Sequence, residues 1–173
     1  MDTVTFEKFR TLIYNESGIV LPPQKLSLLL NRIQKRLRAL NISSESEYLE
    51  VIESDASGNE LINLIDAIST NVTYFYREDS HFKTYRNILQ GWKPEKKKEI
   101  KVWCAAASTG EEPYTLAFES LEVLDLNRQN IKILATDICS KVLKQAICGC
   151  YPPSTTDGIP KGLREKYMSQ IEQ

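Results

Sequence analysis

Apolar residues recur at spacings of three and four through residues 1–66 and give way to short unbroken runs after residue 99, which predicts helices first and an α/β arrangement afterwards. Phe6, Phe9, Leu12 and Ile13 mark one side of a first helix, with Thr5 as the expected cap and an end near Ser17-Gly18. After Pro22-Pro23, Leu26, Leu29, Leu30, Ile33, Leu37 and Leu40 form a stripe roughly 100° wide that requires burial. Ser44 and Glu47 stand at capping-box spacing ahead of a third helix reaching Ile52, and Leu61, Leu64, Ile65 and Ile68 predict a fourth beyond a Ser54–Asn59 loop.

From Ser69 to Arg77 the pattern loses its helical period, and Thr, Asn, Val, Tyr and Phe predict an extended connector. Asp79 to Leu89 returns to helix, and Gly91 to Lys98 reads as a charged, proline-containing linker. Ile100–Ala105 and Ile131–Ala135 are strand-like runs, with a turn Ser108-Thr109-Gly110-Glu111-Glu112-Pro113 and a helix between them. Lys141 to Ile147 predicts a further helix stopped by Gly149, and Tyr151 to Pro160 an irregular stretch. The division expected is a helical domain over 1–66, a connector and linker helix over 67–98, and a partial α/β domain over 99–173. Two parallel strands are few for a sheet type ordinarily buried on both faces, so the expected fold stops partway and leaves an edge that favours self-association into a homo-oligomer.

Composition narrows the function classes. A formal net charge of −1 gives no global attraction to nucleic acid or anionic membrane, so an electrostatic partner must meet a local patch. No apolar run approaches the ~20 residues of a membrane span, and an N-terminus bearing Asp2 and Glu7 lacks the pattern of a signal peptide. Cys104, Cys139, Cys148 and Cys150 offer no paired CxxC spacing, and the single histidine, His81, lies far upstream; the expectations are free thiols, no metal site and a cytoplasmic setting.

The turn after the first strand carries the chemistry. A glycine turn there, with Asp137 at the end of the second strand, is the general layout for a ligand with a ribose. No GxGxxG pattern is present, and Glu111 and Glu112 repel a pyrophosphate while favouring a cationic ligand, so S-adenosylmethionine fits better than a dinucleotide. The alternative, that both acids only stabilise a helix start, stays open. Thr70–Glu78 interleaves polar and aromatic residues and fits either a cleft lining or a structural turn with an Arg77 ion pair to Glu78 or Asp79. Residues 24–38 hold Lys25, Arg32, Lys35, Arg36 and Arg38 and no acid, suited to an acidic partner helix or to snorkelling at the core edge. No helix-turn-helix pattern supports DNA binding.

Taken together, Gly18-Ile19, the basic helix from Lys25 to Arg36, TNVTYFYRE, VWCAAASTGEEPYTLAF, ILATDI and GCYPP resemble the CheR-type chemotaxis receptor methyltransferases over nearly the whole chain. The resemblance implies an all-α N-terminal domain followed by the first βαβα part of a Rossmann-like methyltransferase domain, truncated after residue 173. It implies S-adenosylmethionine as cofactor, S-adenosylhomocysteine as product, and O-methylation of glutamate side chains on the cytoplasmic helices of chemoreceptors. Carried over by motif, Asn71, Thr73, Arg77, Glu112 and Asp137 are the implied cofactor contacts, Arg77 also standing near the reacting centre as the implied catalytic residue. Lys25, Arg32, Lys35 and Arg36 are the implied receptor-facing set. Tyr76 stands where the family usually has Phe, and Cys104 where it usually has Ser. The alternative function is a receptor-binding or self-associating module without catalysis.

Overall fold

The computed structural model describes residues 1–92, 99–125, 127 and 129–171. They form two units, Met1–Thr70 with Ile138–Ser140, and Asn71–Asp137 with the chain from Lys141 onward. The linker expected from Gly91 to Lys98 lies, from residue 93, outside the described residues.

The first unit contains α1 (Thr3–Ser17), a 3-10 turn (Pro23–Lys25), α2 (Leu26–Leu40), α3 (Glu45–Ser54) and α4 (Asn59–Ile68). The cap of α1 is Asp2 rather than Thr5: its carboxylate accepts the Thr5 N–H at 3.0 Å and the Thr5 hydroxyl at 2.7 Å, so Thr5 lies one turn inside. An aspartate three residues ahead of an orphan N–H outcompetes a threonine already in helical conformation. Gly18 ends the helix in the left-handed region at φ 72°, donating its N–H to Tyr14. Ser44 caps α3 by accepting the Glu47 N–H at 3.2 Å, and Glu47 returns a bond to the Ser43 N–H. Leu29, Ile33 and Leu37 of the α2 stripe are buried with Phe9, Ile13, Tyr48 and Leu64 in one continuous cluster, each full burial stabilising by roughly 1.5–3 kcal/mol. Leu26 and Leu30 are half-buried, and Leu40, the last residue of α2, is exposed because Asn41 turns the chain away in the left-handed region.

The second unit contains α5 (Ser80–Gly91), β1 (Glu99–Ala105), α6 (Glu111–Val123), β2 (Asn130–Thr136), α7 (Ser140–Cys148, in this unit from Lys141), α8 (Pro153–Thr156) and α9 (Lys161–Tyr167). β1 and β2 pair in parallel, in register from Glu99 opposite Asn130 to Ala105 opposite Thr136. Alternation decides the two faces. Ile100, Val102 and Cys104 pack with Ile131, Ile133 and Ala135 against Phe82 and Leu89 of α5 and Leu116 of α6. On the opposite face Trp103 and Leu134 lie side by side, 69% and 60% exposed. The stretch from Tyr151 to Pro160 is not wholly irregular: Pro153 opens the single turn of α8, its fixed φ suiting a first helical position.

Candidate functional site

Both strands end in the same direction, so their C-terminal loops meet at one edge, where parallel α/β sheets bind ligands. The loop after β1 is tied to the loop after β2 by two hydrogen bonds, Ala107 N–H to the Thr136 carbonyl and Ser108 N–H to Asp137 Oδ2, both 2.8 Å. Making that turn requires left-handed backbone at Ala106 (φ 63°), Ser108 (φ 50°) and Gly110 (φ 100°). At Gly110 a side chain is excluded twice, by φ and by space: a Cβ would lie 2.6 Å from the Tyr151 hydroxyl and 3.0 Å from Ala146 Cα. Tyr151 closes the turn by donating to the Thr109 carbonyl at 2.6 Å.

The two turn glutamates have separate environments. Glu111 is 3% exposed and accepts the Thr109 hydroxyl at 2.6 Å, a side-chain bond across the start of α6. Glu112 is half-buried and accepts the Cys104 thiol at 3.2 Å. Burial first, then the hydrogen bond and charge of Glu112 and the charge of Asp137, push the Cys104 thiol up to about 12. The Ser108 hydroxyl is buried with no hydrogen-bond partner among the described residues. Glu112, Asp137 and Ser108 thus converge on one acidic turn.

The connector reaches the same helix from the other side. Phe75 is buried against Phe118 and, edge-on at 5.0 Å, against Tyr151. The Tyr76 N–H donates to Thr115 Oγ1 at 3.4 Å, and Thr115 donates in turn to the Glu111 carbonyl at 2.7 Å, which links the connector to the first turn of α6. Tyr76 and Glu78 are left-handed (φ 60° and 53°), so Arg77 sits between two strained neighbours. Its guanidinium donates to the Val72 carbonyl, while Asp79 pairs with Lys83 at 2.7 Å rather than with Arg77. The Tyr76 hydroxyl donates to Glu119 at 3.1 Å, a buried carboxylate that also accepts from Arg86. Asn71, Thr73, Arg77, Glu112 and Asp137 therefore all belong to the second unit, with Asn71 and Arg77 exposed and the others half-buried.

The basic residues of α2 divide. Lys25 and Lys35 are exposed and Arg32 is half-buried, but Arg36 forms a bidentate pair with Glu60 at 2.9 and 2.7 Å, and Tyr48 donates to the same carboxylate at 2.6 Å. Burial pushes the Glu60 carboxyl up, and the Arg36 and Tyr48 hydrogen bonds with the Arg36 charge outweigh it, leaving Glu60 below its ordinary value. Sequence reasoning placed Ser108 in the turn but missed Cys104 and Glu119 as site neighbours. Cys104 and Glu112, eight residues apart across a strand, turn and helix, carry no local periodic signal. Among the described residues no group of three His, Cys, Asp or Glu could hold a metal ion, and no helix is long and apolar enough to cross a membrane.

Two family models match the chain: "CheR methyltransferase, all-alpha domain" over residues 5–69 and "CheR methyltransferase, SAM binding domain" over residues 71–173. A chemotaxis protein methyltransferase of Borreliella burgdorferi is 39% identical over 168 residues, covering 93% of this chain and 59% of that protein. One from Salmonella typhimurium is 37% identical over 164 residues, covering 94% and 56%. A probable chemotaxis protein methyltransferase of Rhizobium etli is 33% identical over 167 residues, covering 93% and 62%. The chain thus spans 56–62% of the length of these curated relatives.

Proposed function

The chain belongs to the CheR methyltransferase family, and we propose that its second unit binds S-adenosylmethionine at the acidic turn and that the protein methylates glutamate side chains on chemoreceptor helices. The carrying observation is the turn itself: Glu112 and Asp137 are held by the Cys104 thiol and the Ser108 N–H at the C-terminal ends of two parallel strands. Carboxylates so placed favour a ligand that brings an ammonium, a sulfonium and a ribose and disfavour a pyrophosphate.

When bound, S-adenosylmethionine supplies a methyl group on a cationic sulfur. The residues of this chain bind and orient. Asp137 would hold the ribose hydroxyls and Glu112 the amino-acid end, and Asn71 and Thr73 would contact the ligand from the connector. A glutamate nucleophile with an ordinary pKa of about 4.3 is already ionised at neutral pH, so the reaction demands alignment rather than a general base. Arg77 steers that carboxylate. A tight ion pair would stabilise the charged ground state more than the charge-dispersed transition state, so a weak contact serves better. Lys25, Arg32, Lys35 and Arg36 are assigned to the receptor-facing surface, Arg36 by keeping α2 seated on Glu60, and the domains to 1–66, 67–98 and 99–173 in a cytoplasmic protein.

Calorimetric titration tests the cofactor assignment. S-adenosylmethionine and S-adenosylhomocysteine should bind and NAD should not, and Asp137→Asn should weaken both adenosyl ligands at least about ten-fold, the value of a charge-assisted bond. Binding of NAD with no response to S-adenosylhomocysteine discards the assignment. A second reading, an interaction module that associates without turnover, draws on the open sheet face bearing Trp103 and Leu134. Methyl transfer to a receptor helical fragment by this chain rejects the module reading; self-association without transfer supports it.

A further inference from the structure

We infer that Cys104 is a positioning residue, whose thiol aims the Glu112 carboxylate at the amino-acid end of S-adenosylmethionine. The inference rests on the cofactor reading above. Cys104 is the penultimate residue of β1 and points into the covered face of the sheet, 1% exposed. Its Sγ lies 3.2 Å from Glu112 Oε1. A glutamate at the second position of a helix has three side-chain torsions and, without a partner, would spread over several rotamers. Bonding one oxygen to a buried donor selects among them before any ligand arrives, the economy of a preorganised site.

The thiol suits this task because it stays protonated. Raised to about 12 by burial, then by the hydrogen bond and charge of Glu112 and the charge of Asp137, it remains a donor throughout the neutral range. A thiolate there would put a third negative charge beside two carboxylates. Of the two acids, Glu112 is the one the thiol bonds, while Asp137 accepts from the Ser108 N–H. With Asp137 at the ribose end, that leaves the amino-acid end to Glu112. The same turn buries the Ser108 hydroxyl without a partner among the described residues. A buried hydroxyl is rarely left so unless something outside the protein completes it.

The competing role, a small apolar filler of the sheet face, orders the variants oppositely. A filler tolerates Cys104→Ala better than Cys104→Ser, because serine would bury an unmatched hydroxyl. A positioning donor is lost in Cys104→Ala and restored in Cys104→Ser. Calorimetry on the full chain with S-adenosylmethionine, S-adenosylhomocysteine and adenosine separates the two. Cys104→Ala should weaken the first two ligands roughly three- to ten-fold and leave adenosine, which lacks the amino-acid arm, unchanged; Cys104→Ser should bind like the parent. Equal loss for all three ligands, no loss for any, or a serine variant weaker than the alanine one overturns the inference. If the parent chain binds none of the three, the cofactor reading falls first. The Cys104 bond is then judged by the infrared S–H stretch, identified by its disappearance in Cys104→Ser: it should rise in frequency in Glu112→Ala, and an unmoved band rejects the Cys104–Glu112 contact.

Discussion

The two units place their unusual backbone in different kinds of residue. In the helical unit the left-handed positions are Gly18, Gly58 and Asn41, residues for which that conformation is cheap. In the α/β unit they include Tyr76, Glu78, Ala106 and Ser108, each costing about 1–2 kcal/mol. Their cores differ in the same sense. The helices α1 to α4 close around one continuous cluster, whereas the α/β unit holds separate smaller clusters and leaves Trp103 and Leu134 open on one sheet face. Local strain collects in the connector and the turn after β1, which carry the proposed cofactor contacts Asn71, Thr73, Arg77 and Glu112, while Asp137 follows β2 and is bonded to the strained Ser108.

The largest expected effect breaks or confirms the contrast in cores. Phe9→Ala should cost about 3–5 kcal/mol by urea denaturation, while Trp103→Ser should cost less than about 1 kcal/mol; similar costs would mean that the Trp103 face is covered in solution. Next comes the buried pair of the helical unit. Glu60→Gln should lose roughly 2–4 kcal/mol by leaving Arg36 without its charge partner. Glu60 lies below its ordinary value in the folded chain, so its contribution is complete above the unfolded pKa of about 4.3 and disappears as pH falls through the folded value. A parent and variant that lose stability equally on acidification would contradict this.

Gly110→Ala should cost about 2 kcal/mol or more, because the obstructing atoms include the Ala146 backbone, whereas Gly18→Ala, with nothing within 4 Å, should cost only the left-handed penalty of about 1 kcal/mol. Ser108→Gly should go the other way, raising the melting temperature by removing both a left-handed side chain and an unpartnered buried hydroxyl, worth about 1–2 kcal/mol together. A drop in melting temperature would show that the hydroxyl has a protein partner. The smallest effect is chemical: an alkylating reagent should modify exposed Cys148 and Cys150 in the folded chain and reach buried Cys104 and Cys139 only on unfolding.

Much of this was legible in the chain because it is locally encoded. The Leu29, Ile33, Leu37 periodicity, the Ser44–Glu47 cap and the alternating β1 pattern each depend on neighbours a few residues away, and the structure follows them. The α1 cap was misplaced by one turn because Asp2 and Thr5 both carry capping side chains and only the geometry shows which accepts. The α8 turn was missed because a four-residue helix has too few residues to show a period. In the candidate site, the acids at 111, 112 and 137 were readable from their places after two strands. That Glu111 is buried against Thr109 while Glu112 faces Cys104 was not, since both follow the same glycine.

The sequence by itself determined the order of helices and strands, the acidic character of the turn and the family motifs, all properties of residue type and short spacing. The tertiary structure alone decided that Arg36 is bound to Glu60 and Tyr48, that Tyr76 reaches Glu119, and that Cys104 holds Glu112. These pairs join residues that the chain separates and packing brings within 3.2 Å. A hydrogen bond or ion pair at that range depends on tenths of an ångström and on burial, and neither is written in the spacing of residues along the chain.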